Sequence, residues 1–286
     1  LHNGKNQIID LISFENFLNK FQHRDRMLII TGGECTMHPQ FRQILELTKK
    51  LKINTQVDTN SIRTATFYNE IGELADVWNI TLHPSQHKFD PEKISVLSNK
   101  SFVVVYVMMD PEFWELSIQW IDQLKHIKNI KIIPLKIIDN WAGATCIANY
   151  TQDQIDFLNN NNHFYTFTDN RIKELTESHK WLTTTHSVLT YEDNKTNELD
   201  AYWLIKENLN NFYGWDCLAG NENLMINYDG KVSWANCGIK TFNDFNEVSL
   251  SNLTQPIACT RLSCDCVTDI RSTKVKNSNL QGVDIV

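Results

Sequence analysis

The 286-residue sequence has no apolar run approaching the ~20 residues needed to span a bilayer. Its longest apolar strings, such as Phe102 to Met109, have the length of a strand. It also lacks a surplus of positive charge, with 27 lysines and arginines against 34 aspartates and glutamates, a formal net charge of -7. A nucleic-acid backbone is therefore not expected as the main partner, because phosphate binding needs a basic surface. Cysteine is sparse through most of the chain. Cys35 and Cys146 stand alone, while Cys217, Cys237, Cys259, Cys264 and Cys266 crowd into the last quarter. A secreted disulfide scaffold is usually short and cysteine-dense throughout, so this distribution points instead to a metal or iron–sulfur site. Internal repeats are absent. The first residue is Leu1 rather than methionine, and the chain is read as clipped at its N terminus, so the lack of a leader carries little weight.

What is present is an alternation of strand-like and helix-like segments over the first ~150 residues. Apolar strands are expected at 27–31, 53–58, 77–82, 102–109 and 130–138. Between them lie helical patterns at 41–51, 64–74, 90–97 and 110–127, with another beginning at 151. Phe41, Ile44, Leu45, Leu47 and Leu51 form one apolar stripe. Asp90 and Asp110, each followed by proline, read as helix starts. Strands separated by helices imply a parallel sheet with helices outside, an open sheet or a partial barrel, with functional groups at the C-terminal strand ends. Residues 161–200 read as a polar connector with a few short elements such as 187–191. Asp229-Gly230 between Leu224–Tyr228 and Lys231–Trp234 reads as a hairpin turn. The residues after Arg271 read as an exposed polar tail.

The sharpest local signal is the strand Met27–Thr31 running straight into Gly32-Gly33-Glu34. Two glycines let a ligand approach the backbone, and a carboxylate just beyond can hold an amine. A glycine turn capped by Glu34 is the plain alternative. The segment resembles the Gly-Gly-Glu motif of radical S-adenosylmethionine enzymes, with Cys35 where those enzymes usually carry proline. Thr59-Asn60-Ser61 resembles the Thr-Asn-Gly that often ends the family's next strand, with serine for glycine. The resemblance implies an α/β fold of the partial (β/α) barrel type. It also implies cofactor contacts from Gly32, Gly33, Glu34, Thr59, Asn60, Asn79, Thr81 and His83. His83 also reads as a surface histidine before Pro84, and Lys136 and Asp139 as solvated charges near the last strand. The family's catalytic [4Fe–4S] cluster needs a Cys-x3-Cys-x2-Cys loop. None occurs here, and the expectation is that it precedes Leu1.

The second signal is the spacing Cys217-x19-Cys237-x21-Cys259-x4-Cys264-x-Cys266 around Cys217-Leu-Ala-Gly220 and the Asp-Gly hairpin. This set resembles the SPASM/twitch-type auxiliary modules, and the resemblance implies one auxiliary [4Fe–4S] cluster. Cys264 and Cys266 are the surest ligands on this reading. Cys237 is the least sure, because six residues separate it from Gly230 where larger modules often have four. Structural zinc remains open, since tetrahedral sulfur sites suit either metal. Cys35 and Cys146 read as buried free thiols. Trp203, Phe212, Tyr213, Trp215 and Trp234 read as core or cluster shielding.

The expected organisation is a barrel over 1–160, a connector over 161–200, an auxiliary module over 201–272 and a tail over 273–286. The resemblance implies a cytoplasmic enzyme that cleaves S-adenosylmethionine reductively. It would modify a peptide, a protein or a small metabolite and take electrons from a donor such as flavodoxin or ferredoxin, with no membrane partner. The rival reading is a non-catalytic scaffold with a degenerate barrel and a zinc site.

Overall fold

The computed structural model describes residues 9–21, 27–86, 88–137, 149–161, 164–166, 186–190, 195–227, 230–253 and 255–276. The chain divides into two compact units. One comprises residues 21–138 and 146–182, and the other comprises 1–20, 139–145 and 183–286.

The first unit is built on strands β1 (Met27–Ile30), β2 (Asn54–Thr59), β3 (Val77–Leu82), β4 (Phe102–Met108) and β5 (Ile130–Leu135). They are parallel and lie side by side in chain order, and β6 (Phe164–Tyr165) adds an antiparallel edge. The helices are α2 (Phe41–Lys50), α3 (Ala65–Ile71), α4 (Pro91–Ser98), α5 (Trp114–Leu124) and α6 (Gln152–Asn160), following α1 (Leu11–Asn19) in the chain. Their starts are encoded locally. Thr64 caps α3, Asp90 caps α4 with proline in the first turn, and Thr151 with Gln154 forms a capping box on α6.

The register sorts the strand residues onto two faces. Val57, Trp78, Ile80, Val103, Val105 and Ile132 lie on one face, fully buried, in one core with Leu45, Ile71, Leu97, Ile121 and Leu158 from the helices. That core includes residues of all five helices of the unit, so the helices cover a single face. The other face carries Gln56, Asp58, Asn79, Thr81, Tyr106 and Lys131, all half-buried. The same face buries the apolar Val77, Phe102 and Val104, and parallel strands with helices on the outside form the expected partial α/β barrel.

The second unit has two small sheets. One is antiparallel, β10 (Leu224–Ile226), β11 (Val232–Trp234) and β12 (Thr241–Phe242). The other runs in the order β13 (Ile257–Ala258), β9 (Asp216–Cys217), β14 (Lys274–Val275), β7 (His186–Thr190), β8 (Thr196–Asp200). Helix α1 belongs here. Phe14 and Phe17 pack on Phe245 at ring distances of 5.6 and 5.1 Å, and Lys20 Nζ donates to the Phe245 and Val248 carbonyls.

These observations differ from the sequence-based organisation in three places. Residues 11–19 group with the C-terminal unit rather than with the sheet. Residues 196–200, which read as polar loop, form an edge strand. Such a strand pairs on one side only, so its composition need not alternate. Lys274–Val275, placed in the tail, is an internal strand of the five-stranded sheet. Two residues are too few to give a periodic signal. No helix among the described residues is long and apolar enough to cross a membrane.

Candidate functional site

Two groups of residues deserve the name, one in each unit. The first lies at the C-terminal ends of β1 to β3. Gly32 and Gly33 hold left-handed φ values of +96° and +50°, and an added Cβ on either meets nothing within 4 Å. Backbone conformation, not crowding, is what demands glycine there, and the space beside both is open. Glu34 follows and is tied down by its neighbours. Its Oε1 accepts from the Thr36 backbone N–H (3.1 Å), the Thr36 hydroxyl and the Thr59 hydroxyl (2.7 Å), and its Oε2 accepts from the Asn60 backbone N–H (2.9 Å). Glu34 thus caps the 3-10 turn Cys35–Met37 and fastens the end of β1 to the end of β2. Both plain and ligand-binding readings of this residue share that geometry. Asn60 Oδ1 is buried and has no hydrogen-bond partner among the described residues. Ser61, at the position where the resemblance has glycine, has φ +57°.

Asn79 and Thr81 lie on the inner face by register, and His83 follows at the end of β3, half-buried. Asn79 Nδ2 donates to Asp58 Oδ1 at 3.0 Å, and Gln56 Nε2 donates to the same oxygen at 2.9 Å. Burial raises the Asp58 carboxyl above its ordinary range, against the hydrogen bonds from Gln56, Asn79 and Thr31. Sequence reading passed over Asp58. Its only signal was inward parity on a strand that ends at the rim. Lys136 turns to Asn159, with Nζ donating to Oδ1 at 3.3 Å. Asp139 and Cys146 lie outside the described residues. Cys35 is buried, with Sγ directed at the Asp58 carbonyl, and burial pushes its thiol up to about 12.

The second group is the cysteine pocket. Cys217, Cys237, Cys259 and Cys264 line one small cavity together with Asp269 and Lys274. Cys217 on β9 pairs with Ile257 on one side and Lys274 on the other. The Cys259 N–H donates to the Trp215 carbonyl (2.8 Å), and the Cys264 N–H to that of Asn210 (2.9 Å). Asp269 holds the Cys237 loop: its Oδ2 accepts from the Cys237 N–H at 2.7 Å, and its Oδ1 accepts from the Asn236 backbone and both Asn223 and Asn236 side-chain amides. Lys274 and Asp269 gave no sequence signal, because nothing in their spacing marks them as neighbours of the cysteines.

Cys266 is not on the cavity wall. Its sulfur receives a hydrogen bond from Asn236 Nδ2 at 3.3 Å. Cys237, for which the spacing departed from the larger modules, lines the pocket, and Cys266 lies next to its loop through Asn236. Burial raises the thiols of Cys217, Cys237 and Cys264, the last to about 12. Among the described residues no three His, Cys, Asp or Glu side chains are grouped closely enough to hold a single metal ion. Of the aromatics, Phe212, Trp215 and Trp234 are buried, and Tyr213 is exposed rather than shielding. The side chain of Trp203 lies outside the described set.

No family model matches the chain, and no curated protein matches it. Among solved structures it is similar to Streptococcus suis SuiB at 14% identity and a TM-score of 0.48, over 85% of this chain and 59% of that one. Against SuiB bound to its precursor peptide SuiA the values are 14%, 0.49, 89% and 60%. Against SuiB bound to S-adenosylmethionine they are 14%, 0.35, 59% and 41%. The chain spans less than two thirds of the SuiB chains it matches. The reading of both sites rests on the residues described above.

Proposed function

We propose that the chain serves radical S-adenosylmethionine chemistry, with the cofactor's amino-acid part at the Gly32–Glu34 rim and an auxiliary [4Fe–4S] cluster in the cysteine pocket. The observation that carries this reading is the pocket. Cys217, Cys237, Cys259 and Cys264 come from separate stretches of sequence and line one cavity. Four thiols on one cavity suit either zinc or a cluster, and the Gly32-Gly33-Glu34 resemblance favours the cluster. The rim lends support. Glu34 Oε2 accepts one bond and Asn60 Oδ1 none, so acceptor capacity for an ammonium group remains there.

Held at the Gly32–Glu34 rim, S-adenosylmethionine would supply radical hydrogen-abstraction chemistry. The chain's own part is to bind and orient. Glu34 and Asn60 hold the amine, and the glycine backbone leaves room beside it. Thr59 braces Glu34, and Asn79, Thr81 and His83 would line the site beside the ribose and substrate. The Cys-x3-Cys-x2-Cys loop is not among these 286 residues, so radical turnover by this chain alone is not expected. The substrate is a peptide, a protein or a small metabolite, and the reductant a flavodoxin or ferredoxin.

Anaerobic reconstitution with iron and sulfide tests the reading on the chain as it stands. About four irons and four sulfides per chain are expected. Joint replacement Cys217→Ala and Cys264→Ala should abolish uptake, whereas Cys35→Ala should leave it intact. Uptake of one zinc and no iron would overturn the cluster and favour the structural-metal reading.

A further inference from the structure

Lys274 is 1% exposed, a rare state for an ammonium group. Its Nζ donates to the carbonyls of Asp269 (2.8 Å), Ile270 (2.9 Å) and Ser272 (2.9 Å), and it sits 4.8 Å from the centre of the Phe212 ring. All three donor positions are therefore used, but on neutral acceptors. Among the described residues no carboxylate forms an ion pair with it. The Asp269 carboxylate, on the same cavity, is taken up by Asn223, Asn236 and the Cys237 N–H. Arg261 also borders the cavity, but it is exposed and donates to the Cys237 carbonyl. A buried cation is costly, and three neutral carbonyls with a carboxylate outside ion-pair contact offset only part of that cost.

The sheet register shows what stands opposite. Lys274 on β14 is the cross-strand partner of Cys217 on β9, so both side chains leave the sheet on the same face. Both line the cavity with the other three cysteines. We infer that Lys274 is the built-in counter-charge of the cysteine pocket: it balances the negative charge of a four-thiolate cluster and favours that cluster's reduction. The inference rests on the cluster reading above. A cluster with four thiolates is anionic and gains a further negative charge when reduced, and net charge nearby is among the factors that set its potential.

The test compares reconstituted wild type with Lys274→Gln and Lys274→Arg. Iron and sulfide are counted first, and the reduced cluster is then followed by EPR through a potentiometric titration. Lys274→Gln should make one-electron reduction at least tenfold less favourable, a shift of 59 mV or more to lower potential. Lys274→Arg keeps the charge and should stay close to wild type. If the glutamine variant cannot hold a cluster while the arginine variant holds one at the wild-type potential, the charge is again what the pocket requires. Equal potentials in all three proteins would overturn the inference and leave the cluster reading intact. Loss of uptake in both variants would mark a packing role and overturn it too. A wild-type protein that takes up no iron would overturn both readings.

Discussion

The two units bury different kinds of polar group. In the sheet unit the buried polar side chains are hydroxyls, and Thr48, Thr55, Ser98 and Ser117 each return a hydrogen bond to a nearby backbone carbonyl. They ask nothing of a distant residue, and the apolar core around Trp78, Leu97 and Val105 carries the fold. The C-terminal unit buries Asp269 and Lys274, with Asn210 and three of its cysteines. Its apolar cluster, around Phe212 and Leu204, includes Cys259 and Cys264 themselves. The C-terminal unit thus buries charges and thiols beside its apolar residues, whereas the sheet unit buries apolar side chains and hydroxyls.

The strongest way to break this contrast is to disturb the packing that frames the cysteines. Gly220, of the Cys217-Leu-Ala-Gly220 segment, lies against the Trp234 ring, where an added Cβ would sit 2.4 Å from the indole carbons. Trp234 is itself buried and cannot swing into solvent. Gly220→Ala should cost ~1–3 kcal/mol as an overpacking defect. Denaturant unfolding followed by circular dichroism reads the cost, and an unchanged midpoint would mean that this wall is soft.

A smaller effect of opposite sign is expected in the sheet unit. Asp58 is the exception there, an inner-face carboxyl whose ionised form burial disfavours. Its pKa is higher folded than unfolded, so its contribution to stability is most favourable below the unfolded value and falls as pH rises through the folded one. Asp58→Asn keeps an oxygen for Gln56 and Asn79 and removes the charge. The variant should melt above wild type at pH 7, and the gap should close as pH falls below the ordinary aspartate range. A gap independent of pH would show that charge burial is not its cause.

The contrast also explains what could be read in advance. Strands β1 to β5 and their helices were legible because apolar residues recur at fixed periods and caps such as Asp90 and Thr151 mark the starts. The cysteine set was legible as a spacing. The placement of Cys237 and Cys266 was not, because the loop geometry is set by Asp269 and Asn236, whose contacts cross tens of residues. Lys274 was invisible for the same reason: its burial follows from strand order, which no local pattern encodes. At the rim, Glu34 stood out by its place after a strand and two glycines, but its ties to Thr59 and Asn60 are tertiary facts.

The smallest effect is expected at the rim. Ser61 occupies a left-handed conformation, φ +57°, that disfavours a side chain with a Cβ. Its backbone N–H donates to the Thr59 hydroxyl at 3.1 Å, and its carbonyl accepts from Lys93 Nζ at 3.1 Å. Both bonds use backbone atoms and survive loss of the side chain. Glycine adopts the conformation freely but also loses more entropy on folding, so the two terms oppose each other. Ser61→Gly should therefore stabilise the sheet unit by only about 0.5 kcal/mol, the part of the strain that exceeds the entropy term. Thermal melting resolves a difference of that size if replicate scans agree closely. A destabilised variant would mean that the serine hydroxyl has a role at the rim beyond its backbone, and would bring Ser61 into the same group as Glu34 and Asn60.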